Sequence, residues 1–380
     1  MQAKYLRWLL VIGFSALGAC SSNEQASPEV ILFDKGNFPT QLSKWGILIR
    51  RNNVLVLNQD VIPYDLNTPL FTDYAHKLRT IWIPPGKTIQ YTDAKDLQLP
   101  VGSIVSKTFY YPRDGQVLVN KDDYSNDFTQ GGLDLNTVQL IETRLLVHLE
   151  DGWHGLPYVW NSEQTDAVLE ITGNVQQLNL RHQDKQIQFP YVVPDANQCQ
   201  GCHVDDMNTK RMHLLGVKVR HVDKAYQGIN AVSNQLDNWY QLGKLEQLPV
   251  SRKPNVDWQD LNQSVAERAL SYLDINCGHC HNSVGPADTS GLYLRYESFH
   301  DGALNPVHLG ICKPPVAAGQ GTGGRKVGIE PGKADQSIFV YRMESLDLGA
   351  MMPELGRSLV HEEGVALIKD WINAMPGNCN

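Results

Sequence analysis

The chain has 380 residues, a formal charge of −8, 7 Cys and 12 His. That length and apolar content allow two or three domains with real cores, and they exclude disordered, collagen-like and solenoid readings. The acidic balance argues against nucleic acid as a partner and favours a basic protein instead.

The N-terminus opens with Lys4 and Arg7, an apolar run from Trp8 to Phe14, and then Leu17-Gly18-Ala19-Cys20. The run is too short to span a bilayer. Small residues before a Cys resemble a bacterial lipoprotein signal over 1–19, with Cys20 the lipidated first residue. Ser21, a non-Asp residue after that Cys, implies by the same resemblance an exported protein anchored to the outer membrane and facing the periplasm. Residues 20–30 are small and polar and read as a flexible tether.

Residues 31–190 read as a mainly antiparallel β domain. Ile141, Thr143, Leu145, Val147 and Leu149 alternate with Glu142, Arg144, His148 and Glu150, the period of a half-buried strand. Leu78–Ile83, Ile104–Tyr111, Val117–Val119 and Val168–Ile171 are further β-rich runs separated by Pro, Gly and Asp. The aromatic clusters Phe109-Tyr110-Tyr111 and Trp153 to Trp160 suit core packing. Asp122 to Asp127 lacks the Gly and distal Glu of a calcium loop and reads as a solvated turn.

In 191–250, Asp195 and Gln198 have capping-box spacing ahead of Cys199-Gln200-Gly201-Cys202-His203. Ile229 to Leu242 carries the helical stripe Val232, Leu236 and Trp239, stopped by Gly243. In 251–380, Ser264 and Glu267 have the same capping spacing, and Val265, Ala269, Leu273, Cys277 and His281 form one i, i+4 ridge. Glu362 and Glu363 open a last helix with Val365, Ile368, Ile372 and Met375 on one face and Pro376-Gly377 as its stop.

Two segments therefore read Cys-x-x-Cys-His: Cys199 to His203 and Cys277 to His281. This is the attachment signature of a c-type haem, in which two thiols form thioethers and the following imidazole takes the iron. The pattern arises by chance about 0.004 times in a chain of this composition, so two copies are a strong signal. A zinc half-site or a redox dithiol would not require the His directly after the second Cys. The cofactors expected are two covalent haem c groups held through Cys199, Cys202, Cys277 and Cys280, with His203 and His281 as proximal iron ligands. For the distal position of the first haem, Met207, Met212, His213 and His221 are near in sequence, with Met212 preferred; His76, His148 and His154 of the β domain are weaker candidates.

A Cys-x-x-Cys-His helix, the pair Met352-Pro353 and a helix containing Leu367-Ile368-Lys369-Asp370-Trp371-Ile372 resemble a class I cytochrome c domain. The resemblance implies Met352 as distal ligand of the second haem, with Met351 as local competitor; the stretch from His281 to Met352 is longer than in a minimal domain. The run Tyr64 to Tyr74, the two haem motifs, Pro314 to Gly319 and Met351 to Arg357 are together similar to a family of bacterial di-haem c-type cytochrome lipoproteins. Its members are often encoded beside a parallel β-helix repeat protein, which is thereby an expected partner.

The remaining cysteines, Cys312 and Cys379, are expected to pair in an oxidising compartment. Gly319 to Gly324 lacks the Gly-Lys-Ser/Thr of a phosphate loop, so no nucleotide is expected; Arg325 beside it is a candidate partner for a haem propionate. The expected fold is α+β: an N-terminal β domain, a haem-bearing α-rich region and a class I cytochrome c-like end. The expected function is that of a metal-binding, iron- and haem-containing cytochrome c that passes single electrons between redox partners rather than an enzyme. The alternative is a peroxidase-type enzyme with an open first haem and His221 or a residue of the β domain as acid-base group.

Overall fold

The alternation from Ile141 to Leu149 lies in the central strand of the molecule, Val138–Leu149. The computed structural model describes residues 28–91, 97–120, 128–129, 132–227, 232–300, 305–316 and 319–379. Cys20, the leader, most of the tether and Asp122 to Asp127 lie outside the described residues. The fold is α+β, with 29% strand and 22% helix.

One curled sheet of nine strands dominates, antiparallel except where Val117–Val119 meets Asn174–His182. Ile104–Asp114 pairs with His76–Trp82 on one side and Val138–Leu149 on the other; Val138–Leu149 in turn pairs with Gly152–Trp160. The two-residue loop Glu150-Asp151 closes that last hairpin, with Gly152 at φ 121, a value few other residues adopt. The expected run Val168–Ile171 is shorter as a strand, Ala167–Leu169, because Gly173 turns the chain at φ 77. A separate four-stranded sheet contains Leu48–Arg51 and Val54–Leu57.

The main sheet is covered on both faces, which corrects the half-buried reading. One face presents Leu78, Trp82, Ile104, Tyr110, Leu145, Val147, Leu156 and Tyr158 to an apolar core shared with Trp45 and Leu55. The other face carries Ile81, Val105 and Leu146, which pack with Val219, Trp239 and Ile275 from the helical half. Glu142, expected to face water, is 0% exposed. A buried carboxylate requires a partner, and Arg144 supplies it through two bonds of 2.7 and 2.6 Å.

Among the described residues seven α-helices follow the main sheet: α1 Ala196–His203, α2 Val219–Val222, α3 Gln235–Gln241, α4 Val265–Asn276, α5 Tyr296–His300, α6 Ile338–Glu344 and α7 Glu362–Asn373. Helix α3 is shorter than the stripe from Ile229 suggested, because Val232–Asn234 pairs as a strand with Ala225–Gln227 and Asn234 caps the helix. Helices α4 and α7 cross, packing Ala269, Leu273, Val365, Ile368 and Ile372 into one core. Their approach requires Gly364, where a Cβ would stand 2.5 Å from the Tyr272 hydroxyl. Tyr64 to Tyr74 joins this unit to the sheet. Asp73 accepts from the Ser358 and Leu359 amides at 2.7 to 2.9 Å, Tyr74 donates to Glu363, and the Phe71 amide donates to Asn276.

Candidate functional site

The first Cys-x-x-Cys-His segment is the C-terminal part of α1. Asp195 accepts from the Asn197 and Gln198 amides and Gln198 returns the bond, a complete capping box that fixes the start of this eight-residue helix. Cys199 and Cys202 are unpaired thiols. The His203 ring is buried, and its Nδ1 lies 2.7 Å from the His213 carbonyl oxygen. With Nδ1 as the donor, Nε2 is left as the free lone pair of a neutral imidazole, the form a metal centre takes up. Burial first, and the charge of Lys107 next, hold the His203 pKa down to about 3, so the ring is neutral at ordinary pH.

The second segment does not continue the ridge of α4, which corrects the expectation from spacing. The helix ends at Asn276, Cys277 is its cap, and Gly278 to His281 form a turn. Gly278 requires that turn, since a Cβ there would meet the Asp274 and Leu294 carbonyl oxygens at 2.7 and 2.8 Å. The His281 amide still donates to Cys277 O at 2.9 Å, so the segment keeps one helical turn of its own. The His281 ring Nδ1 lies 3.1 Å from Ser290 Oγ, and burial pulls its pKa down to about 4. Burial pushes the Cys277 and Cys280 thiols up to about 12, which removes the thiolate character of a reactive dithiol.

The two segments, far apart in sequence, abut. Cys280 Sγ lies 4.0 Å from Gly201 O, the Met207 amide donates to Val284 O at 2.7 Å, and Arg295 donates to both the backbone and the carboxylate of Asp205. The contact is closed behind by Asp274 on α4, which accepts two bonds of 3.0 Å from Arg220 on α2 and one of 2.9 Å from Asn255. Burial opposes ionisation of Asp274, but Arg220 and His221 outweigh it and hold the carboxyl well below the usual range. His221 is therefore the partner of Asp274, with Nε2 at 3.2 Å.

The other candidate ligands are scattered. Met212 is half-buried and points toward Cys199: a Cβ on Gly155 would lie 3.5 Å from Met212 Cε and 3.7 Å from Cys199 Sγ. Met207 is 45% exposed, and His213 is on the surface with its carbonyl engaged by His203. His148 stacks on Trp153 and bonds Leu99 O, His154 pairs with Asp151, and His76 packs against Tyr110. Met352 is half-buried with its amide on Arg342 O, while Met351 is fully buried. Arg325 donates to Asp335 O and lies over the Tyr341 ring. Cys312 and Cys379 form a disulfide closing a separation of 67 residues.

The sequence did not disclose the polar row beneath α1, although the Glu142 and Arg144 positions were its signal. In register, Tyr64, Arg79, Lys107, Arg144 and Pro157 lie side by side across five strands. Lys77 and Arg79 also border a cavity of about 150 Å³ lined by Phe71, Tyr74, Trp258 and His361.

Description of the whole chain as a metal-binding cytochrome is corrected here. Among the described residues no group of three or more His, Cys, Asp or Glu could hold a metal ion, and the architecture is richer in strand than helix. A bare ion needs three or four protein donors converging on it, whereas the first segment offers one imidazole beside two thiols and the second two imidazoles, His279 and His281, beside two thiols, with Cys199 alone of the four thiols fully buried. No family model matches the chain, and neither a curated protein nor a solved structure matches it. Among the described residues no helix is long and apolar enough to cross a membrane.

Proposed function

We propose that the protein is a di-haem electron carrier, with one haem c bonded to Cys199 and Cys202 and a second to Cys277 and Cys280. The observation that carries this reading is the pair of adjoining Cys-x-x-Cys-His segments. Each has two unpaired thiols and a neutral His, buried at His203 and half-buried at His281, whose engaged Nδ1 leaves Nε2 to take a metal. The group, when bound, supplies a one-electron couple. The chain's residues hold and shield it: His203 and His281 as proximal ligands, Met352 as distal ligand of the second and Met212 of the first. The close approach of Cys280 to Gly201 supports passage of electrons between the two centres.

The crossing of α4 and α7 supports a C-terminal unit of class I cytochrome c type within a di-haem lipoprotein family. On this reading Cys20 carries the lipid that tethers the protein to the outer membrane on its periplasmic side. Its partners are redox proteins with basic docking faces, a parallel β-helix repeat protein among the candidates. The mass of the exported protein tests the proposal: it should exceed that of the lipidated chain by two haems, and a mass without them sinks it. Met352→Ala should abolish a sulfur-to-iron charge-transfer band; persistence of the band would show another distal ligand.

A further inference from the structure

Three cations stand in cross-strand register on the sheet face that α1 covers: Arg79, Lys107 and Arg144. Like charges directly opposite one another destabilise a sheet unless anions intervene. Arg79 has Asp65 at 2.9 Å, and Arg144 has both oxygens of Glu142. Glu142 is further occupied by the Tyr191 hydroxyl at 2.7 Å. Lys107, between the two arginines, has no carboxylate partner among the described residues. Burial, then the charges of Arg144 and Arg79, pull its pKa down to about 8, the signature of a cation placed without its counter-ion.

The position of Lys107 indicates which anion it meets. Its charge acts on Cys199, Cys202 and His203, so the ammonium faces the underside of the first segment. One row further along the same face, Gly155 lies against the first segment, where a Cβ would stand 3.4 Å from Cys199 Cβ and 3.5 Å from Met212 Cε, so the row of Lys107 adjoins the two thiols. A cation beside these thiols and lacking a carboxylate of its own matches an acidic group carried by whatever the thiols bind.

We infer that Lys107 is the counter-ion of a haem propionate, the haem being the one bonded at Cys199 and Cys202, since Arg79 and Arg144 each have a carboxylate of their own. The inference rests on the di-haem reading. It makes Lys107 a residue that tunes the first centre, since a fixed cation nearby favours the reduced form.

The experiment is a potentiometric titration of the exported, haem-loaded protein with Lys107→Met, after the mass has established the haem count. One of the two one-electron waves should fall by about tenfold in its reduction equilibrium, ~59 mV for a one-electron couple. The other wave should stay within twofold, and Lys107→Arg should restore the first. If Lys107→Met does not accumulate, Lys107→Gln, which keeps a polar end, is read in the same way. A chain carrying two haems whose waves both stay within twofold overturns this inference alone. A chain carrying none overturns the di-haem reading as well.

Discussion

The two Cys-x-x-Cys-His segments share the two Cys and the closing His and little else. The first is the end of a helix with a complete capping box, lying over a sheet whose facing row is charged. The second follows a helix as a turn, and its Cys277 packs against the crossing of α4 and α7. Attachment chemistry is thus local, set by five consecutive residues, whereas the electrostatic setting of each centre comes from distant strands and helices. On the proposed di-haem reading, charge would tune the first centre and apolar packing the second.

Removing the thiols gives the largest effect with which to break this comparison. Cys199→Ser with Cys202→Ser, and separately Cys277→Ser with Cys280→Ser, should each lower the mass by one haem. Loss of both haems from either pair would mean that the two segments load as one unit.

Next in size is the clamp behind the contact. Asp274→Asn leaves Arg220 buried with half its partner removed and should cost about 3–5 kcal/mol in denaturant unfolding. The sign with pH follows from the depressed carboxyl. Its stabilising effect is present above the unfolded value of about 3.9 and is lost as pH falls further, through the folded value. The acid limb of stability should therefore flatten in Asp274→Asn; an unchanged limb would show that another group governs it.

Gly364→Ala sharpens the comparison on the side of the second centre. Its Cβ meets Tyr272 and His361 where α4 and α7 cross, and forcing them apart should cost about 1–3 kcal/mol. The second wave should move while the first stays. Smallest is Asp195→Ala, which removes the cap of α1 and should cost about 1 kcal/mol, with the first wave affected and the second not. Equal effects of either variant on both waves would contradict separate settings.

Much of this fold was legible locally. The Asp195–Gln198 spacing, the alternation around Leu145 and the Glu362 start of α7 each depend on neighbours within a few residues. The ridge from Val265 to His281 misled because periodicity does not register that Gly278 sits against two carbonyls, which ends the helix early. The abutting of Cys280 on Gly201 was not legible, because the contact spans 79 residues and depends on how the sheet and helices pack. The alternation did mark Glu142 and Arg144 as polar, but whether that face meets water or α1 is decided by strands and helices elsewhere.

Electron paramagnetic resonance of the oxidised, exported protein tests the central claim most directly. Two low-spin ferric signals, broadened by each other because the segments adjoin, are the predicted result. A high-spin ferric signal that changes on adding cyanide or peroxide, or no ferric signal at all, would contradict it.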